Sequence, residues 1–283
     1  MRLDLHVHSH VSDGALAPAA VVKAAHAGGL DVIALTDHDT VAGVAAAQAA
    51  GQRYGVQVVS GIEISTRHGD AELHILGYGV DPRSPVMLEH QELAAIRRRE
   101  RMQEMVERLQ ALGVPVTFEQ VLAAAGADAT SIGRPHLARA LLAGGHTRYY
   151  GEAFERYLYD GGPAFVYKAF PPAAAAIDAI HAAGGLAVWA HPPADLFDRG
   201  VRELAERGLD GVECFRPLCP SEQVHHFART ARQLGLFATG GSDWHAPRRS
   251  LLGDFYLRPE DVADFMETSA AIGHPITGIA PGG

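Results

Sequence analysis

A helix stopped by glycine and followed by a short apolar strand recurs along most of this chain, and few folds accept that rhythm. Pro18 to Ala27 has helical character and meets Gly28-Gly29, after which Leu30 to Leu35 reads as a strand. Ala42 to Tyr54 precedes a strand over Val56 to Ile62, and Pro172 to Ala183 precedes one over Leu186 to Ala190. Val201 to Arg207 leads to Gly211 to Phe215, and Gln223 to Leu234 leads to Leu236 to Gly240. Short strands alternating with helices imply parallel strands joined by helical crossovers. An α/β barrel, closed or distorted, accounts for the pattern better than an open doubly wound sheet.

The rhythm breaks between Pro85 and Pro163. Pro85 to Leu112 is one long helical pattern carrying Arg97, Arg98, Arg99, Glu100, Arg101, Glu104 and Glu107. Charges of both signs at helical spacing suit a solvated face with i,i+4 pairs. Shorter helices follow over Thr117 to Ala125, Arg134 to Ala143 and Gly151 to Leu158. The 85–163 segment reads as a helical insertion, placed to act as a lid, within a single barrel domain spanning residues 1–283.

Composition narrows the function. A net charge of −9 disfavours a broad nucleic-acid-coating surface, including one for duplex DNA, but leaves room for a small anionic substrate held by a few local cations. Only Cys214 and Cys219 are present, so no disulfide framework is expected. No apolar run reaches the length of a membrane span, and Met1-Arg2-Leu3-Asp4 is not the start of a signal peptide. A cytoplasmic location is expected, without a membrane partner; the oligomeric state is not legible.

The chemistry gathers where strands end. In Leu3 to Val7 and its continuation, His6 and His8 fall on one face, about 7 Å apart along the strand. Alone the pair says little in a chain with 16 His. Yet Asp13 follows in a loop, Asp31 to Leu35 runs into Thr36-Asp37-His38-Asp39, and Val56 to Ile62 runs into Glu63. Leu186 to Ala190 runs into His191-Pro192, and Leu236 to Gly240 into Gly241-Ser242-Asp243-Trp244-His245. His74 is the exception, lying at the start of Leu73 to Tyr78. In α/β barrels the carboxyl ends of strands carry the active site. Six imidazoles and three carboxylates in one pocket would leave many polar groups without partners. Divalent cations resolve that, and His with carboxylate suits zinc, manganese or iron. Nine ligands are too many for one ion; two or three fit, with Glu63 as a bridge.

His6-x-His8, Asp13, Thr36-Asp37-His38-Asp39, Gly61-x-Glu63, His74, Ala190-His191-Pro192 and Gly241-Ser242-Asp243-x-His245 together resemble the motif set of the PHP (polymerase and histidinol phosphatase) family within the amidohydrolase superfamily. The resemblance covers most of the chain, the insertion and the tail matching less well. It implies a distorted seven-stranded α/β barrel and a trinuclear metal centre, with manganese the leading candidate. By that likeness His6, His8, Glu63 and Asp243 would hold one ion, Glu63, His74 and His191 a second, and Asp13, His38 and His245 a third. Ser131-Ile132-Gly133-Arg134-Pro135-His136 and Phe165-Val166-Tyr167-Lys168 are similar to the TrpH/YciV-like branch, which includes a phosphatase acting on 3',5'-nucleoside bisphosphates.

That likeness implies hydrolysis of a phosphate ester by water activated on clustered ions. The expected reaction takes the 3'-phosphate from a substrate such as pAp and leaves AMP. Arg134, Lys168 and Arg216 are the candidates for holding phosphate or base, Asp243 for accepting a proton from water, and His136 for protonating the leaving oxygen. Rival readings are a 5'-3' exoribonuclease on short RNA, a histidinol-phosphate phosphatase, a C–N hydrolase and, outside catalysis, a metal-dependent module that senses nucleotides.

Overall fold

The structure, a computed structural model, describes residues 1–69, 71–167, 170–247 and 250–278. Seven strands form one curled sheet whose spatial order is the chain order: β1 (Leu3–Val7), β2 (Val32–Leu35), β3 (Gln57–His68), β4 (Ala71–Tyr78), β5 (Leu186–Trp189), β6 (Gly211–Phe215) and β7 (Phe237–Gly240). Neighbours in space that are also neighbours in sequence are the mark of a singly wound, barrel-like sheet. Past β7 the chain returns to β1, where the His8 amide donates to the Trp244 carbonyl at 2.9 Å and the Trp244 amide to the His6 carbonyl at 3.3 Å. Gly241 permits this approach: a Cβ there would stand 2.3 Å from that of His6.

The helices follow from local chemistry. In α1 (Pro18–Ala27), Pro18 opens the first turn, where a missing N–H costs nothing, and Pro18, Val21, Val22 and Ala25 form the buried stripe. α2 (Val44–Tyr54) ends on Gly55 in the left-handed conformation, with φ +70°. In the middle of the chain come α3 (Pro85–Ala111), α4 (Phe118–Ala125), α5 (Arg134–Ala143) and α6 (Tyr150–Ala153), the last running on into a π-helical turn over Phe154–Leu158. α7 (Ala173–Ala182), α8 (Ala194–Ala205), α9 (Ser221–Gln233) and α10 (Ala263–Ala271) complete the set among the described residues.

Three expectations from the sequence need correction here. The strands are not all parallel: β4 runs antiparallel to both β3 and β5, while β1–β2–β3 and β5–β6–β7 are parallel. The connection from His68 to Ala71 is too short for a crossover helix, so the chain can only turn back. That reversal explains His74, because the start of β4 lies on the rim where the parallel strands end. α8 also begins seven residues earlier than Val201, since Pro192-Pro193 sets its entry and Asp195 occupies its first turn.

β3 is longer than the sequence suggested, so Glu63 sits in mid-strand rather than beyond its end. It still lies at the level of the rim, because the Asp39 amide donates to its carbonyl at 2.9 Å. The main core fills the space between the sheet and its helices, with Ile62, Ile64, Ile75, Trp189, Phe197 and Phe227 all buried. The α3–α6 segment has an apolar cluster of its own, built on Met102, Met105, Leu109, Val121, Leu137, Leu141 and Leu158. Among the described residues no helix is long and apolar enough to cross a membrane.

Candidate metal centre

Glu63 stands at the middle of the rim with no exposed surface. Its Oε1 lies 2.9 Å from His74 Nδ1 and 2.9 Å from His191 Nε2. Its Oε2 lies 2.9 Å from His38 Nδ1, 3.3 Å from His8 Nε2 and 3.4 Å from His6 Nε2. Strand pairing produces this convergence. Ser65 pairs with His74 across β3 and β4, so Glu63 and His74 share a face, and the Ala190 amide donates to the His74 carbonyl just before His191.

On the other side of His8, Asp243 Oδ1 is 3.1 Å from His8 Nε2 and 3.4 Å from His6 Nε2. Asp13 Oδ1 is 3.2 Å from His245 Nε2, and its Oδ2 is 3.9 Å from His38 Nε2. All nine side chains singled out in the sequence therefore meet at one place. Three groups are compact enough to surround a single ion each: His6, His8, Glu63 and Asp243; His8, Asp13, His38 and His245; and His38, Glu63 and His74. His191, on the Glu63 Oε1 side, completes the contacts of the last group.

The donor set itself tests whether cations belong here. Glu63 Oε2, His38 Nδ1 and His8 Nδ1 are all buried without a hydrogen-bond partner, despite the short distances among them. Ring nitrogens and carboxylate oxygens crowd one another here, and His6 Nε2 approaches His8 Nε2 to 3.0 Å. Such an arrangement costs several kcal/mol unless a cation shares the lone pairs, so the residues fit divalent ions.

Without ions the centre is a knot of ion pairs. Burial disfavours charge on His6, but Glu213, Asp243 and Glu63 raise its pKa well above the ordinary value. Burial opposes charge on His8 too, and its contacts to Asp243 and Glu63 still lift it to about 10. Burial would raise the carboxyls of Asp13, Glu63 and Asp243, yet the surrounding histidines hold all three well below the usual range. His38 goes the other way, pushed down by its burial. Cations binding here replace protons, which couples metal loading to pH.

Buried acids hold the ligand-bearing loops. Asp37 accepts from the Ser9 amide at 2.7 Å, the Ser9 hydroxyl at 2.6 Å and the Ser12 hydroxyl at 2.7 Å, which fixes the turn that presents Asp13. Asp4 accepts from the Ser242 amide at 2.8 Å and hydroxyl at 2.6 Å, steadying the neighbour of Asp243; its burial outweighs these bonds and pushes its pKa up to about 6. His191, Asp243 and Asp39 all have positive φ, at +30°, +52° and +54°. Backbone held in that region by its surroundings concentrates at functional sites.

Beside the centre lies a cavity of about 230 Å³ lined by Asp39, Ser65, His90, Arg97, Arg98, Arg101, Tyr167 and Phe170. The expectation of a fully solvated charged face on α3 is therefore wrong in part: Arg98 and Arg101 are only 9% and 7% exposed. Arg98 donates to Asp39 Oδ2 through Nε at 2.8 Å and Nη2 at 2.5 Å. Arg101 donates through Nε to the Val166 carbonyl at 2.8 Å, while its Nη2 is buried without a partner. Burial, with Arg134 and Arg98 nearby, lowers its pKa to about 10, so it stays a cation.

The other predicted substrate residues fall differently. Arg134 Nη1 donates to the Leu158 carbonyl at 3.0 Å and pairs with Asp160, and its guanidinium lies 5.3 Å from the Phe165 ring centre. Arg216 follows β6 on the rim, with its Nε buried and unpartnered. Lys168 lies outside the described residues. His136 does not suit the role of leaving-group acid: it has no exposed surface, its Nδ1 accepts from the Gly133 amide at 3.0 Å, and burial pushes its pKa down to about 4. A neutral, enclosed imidazole closes the first turn of α5 instead.

One buried acid at the centre escaped the sequence reading. Glu213 of β6 has no exposed surface and lies 2.9 Å from His6 Nδ1. The signal was present, because it is the lone charge inside Gly211-Val212-Glu213-Cys214-Phe215.

The comparisons agree with this geometry. Residues 4–103 match the model of the PHP domain. A 5'-3' exoribonuclease of Haemophilus influenzae is 36% identical over 251 residues, covering 87% of this chain and 90% of that protein. A 3',5'-nucleoside bisphosphate phosphatase of Chromobacterium violaceum is 35% identical over 250 residues, covering 87% of each. An amidohydrolase structure from the same species, with bound sulfate and no metal, superposes with a TM-score of 0.86 at 33% identity over 95% of this chain and 96% of that one. With relatives this similar over almost its whole length, and with the family's ordered ligand set gathered on one rim, the chain belongs to the PHP family of metal-dependent phosphoesterases.

Proposed function

We propose that this protein removes the 3'-phosphate of nucleoside 3',5'-bisphosphates, converting pAp to AMP, at a centre of two or three divalent ions, with manganese favoured over zinc or iron. One observation carries the reading: nine buried or half-buried His, Asp and Glu side chains converge beside a cavity whose wall carries Arg97, Arg98 and Arg101. The relative named for that activity supports the substrate class. A cytoplasmic location fits a nucleotide substrate.

His6, His8, Glu63 and Asp243 would hold one ion, Glu63, His74 and His191 a second, and Asp13, His38 and His245 a third, with His8 close enough to share the last. Bound there, such ions lower the pKa of water and offset charge on a phosphoryl group. The protein's own side chains do the rest. Asp243 is the candidate to take a proton from the attacking water, its side chain being 41% exposed. Arg101, in the cavity wall, would offer its guanidinium to an anion there, and Arg134 and Arg216 are the further candidates for holding phosphate or base. Asp39 holds Arg98 in the cavity wall, one residue from His38.

A second reading, 5'-3' exoribonuclease on short RNA, has equal support from the H. influenzae relative and uses the same chemistry. Phosphate release by manganese-loaded protein from pAp, AMP and histidinol phosphate, beside cleavage of a short 5'-phosphorylated RNA, separates the readings. Preference for pAp over both monoesters supports the phosphatase. Equal turnover of all three removes nucleotide specificity, stepwise shortening of RNA at a higher kcat/KM favours the exoribonuclease, and bound nucleotide that survives intact with ions present favours a sensor.

A further inference from the structure

Glu213 touches two parts of the centre that no other carboxylate among the described residues joins from behind. It sits in mid-strand on β6 between apolar neighbours, with both oxygens occupied. Oε1 is 2.9 Å from His6 Nδ1, and Oε2 accepts from the His191 amide at 2.7 Å. A carboxylate can only accept, so His6 Nδ1 must carry the hydrogen of that contact. His6 Nε2 is thereby left facing Glu63 and Asp243, at 3.4 Å from each. The second contact pins a backbone in strain, since His191 has φ +30°.

We infer that Glu213 is a positioning residue: it sets the ring orientation and tautomer of His6 while fixing the backbone of His191, and so holds two ion-binding groups at one spacing. The inference rests on the metal-centre reading above. Two donors, a ring N–H and a backbone N–H, converge on this side chain, and only a carboxylate accepts both. A glutamine would satisfy one. If its carbonyl took the His191 amide, its NH2 would face His6 Nδ1 and favour the proton on Nε2, the atom meant for the ion. Turned round, its NH2 would oppose the His191 amide, donor against donor. Glu213 touches neither substrate nor solvent, so its effect must pass through these two histidines.

The test reads nitrogen and metal rather than turnover alone. In zinc-loaded wild-type protein, long-range 1H–15N spectra are expected to show His6 with a proton on Nδ1 and the shift of a ligated nitrogen at Nε2. In Glu213→Gln, zinc competition with a fluorescent chelator is expected to show a 10- to 100-fold loss of affinity for the ion held by His6, the usual scale for removing an outer partner of a ligand. The ion held by Asp13, His38 and His245 should change by less than about twofold. A wild-type spectrum with His6 ligated through Nδ1, or with no proton on it, overturns the inference without any variant. So does a Glu213→Gln protein that binds every ion as the parent does. Wild-type protein whose histidine signals ignore zinc altogether defeats the metal-centre reading, and this inference with it.

Discussion

The metal centre and the arginine-lined cavity share a wall, yet they are built on opposite plans. The centre collects residues from nearly every strand, each delivered by the register of its own strand and locked by a buried acid such as Asp37 or Asp4. The cavity draws its cations from one 27-residue helix, α3, and holds them by packing against Asp39 and the Val166 carbonyl. A site spread over many strands has fixed geometry and little tolerance. A site on one helix face can change its substrate contacts without disturbing the ions. That separation suits a family in which relatives of equal similarity carry different substrate names.

Substitutions should split along the same line. Glu63→Gln removes the carboxylate shared between ion groups, so phosphate release should fall by on the order of 10³-fold or more, with ions lost on dialysis. Retention of both ions and rate would break the comparison at its stronger half. Arg98→Ala should act on folding, because it leaves buried Asp39 with only His90 and the Ser65 amide as partners; denaturant melts should show a loss of about 1–3 kcal/mol. Arg101→Ala should raise KM for pAp by about 10- to 100-fold while kcat changes little, the scale of one charge-assisted hydrogen bond. A fall in kcat with KM unchanged would move Arg101 out of ground-state binding and into the chemistry.

Acidity sharpens the contrast further. His8 in the metal-free fold has its pKa raised to about 10 against an ordinary 6.5. The stability it contributes is full below pH 6.5 and is lost as pH rises through about 10. Ligation needs the same ring neutral, so ion binding strengthens as pH rises. The gap in melting temperature between manganese-loaded and EDTA-treated protein should therefore widen from pH 6.5 towards about pH 9; a gap that narrows contradicts the ligand role of His8. The smallest effect is expected from His136→Asn, which should leave the shape of the pH–rate profile intact, whereas loss of a limb would restore His136 as an acid.

The strand-borne site was legible because strands impose a short period and end where their apolar runs end. His6, His8, His38, His191, Asp243 and His245 all follow that logic. His74 obeys it only once β4 is seen to reverse, a fact set by the length of the turn from His68 to Ala71 and by the pairing across it. Glu63 joins the cluster but was misplaced in its strand, because hairpin pairing prolongs β3 beyond the parallel part of the sheet. The arginines were not legible. Beside the buried Met102, Met105 and Leu109, nothing local says which of the charged side chains of α3 turn inward; tertiary packing against Asp39 and Phe165 decides that. Glu213 was a different failure, a charge hidden in an apolar strand whose partners, His6 and the His191 amide, come from distant parts of the chain.

Stepwise addition of manganese to EDTA-stripped protein, with phosphate release from pAp recorded at each step, puts these ideas to the most direct trial. Release should rise from background and level off once two or three ions are bound per chain. Full release from stripped protein, or none at any loading, would contradict a phosphoesterase centre at these nine residues.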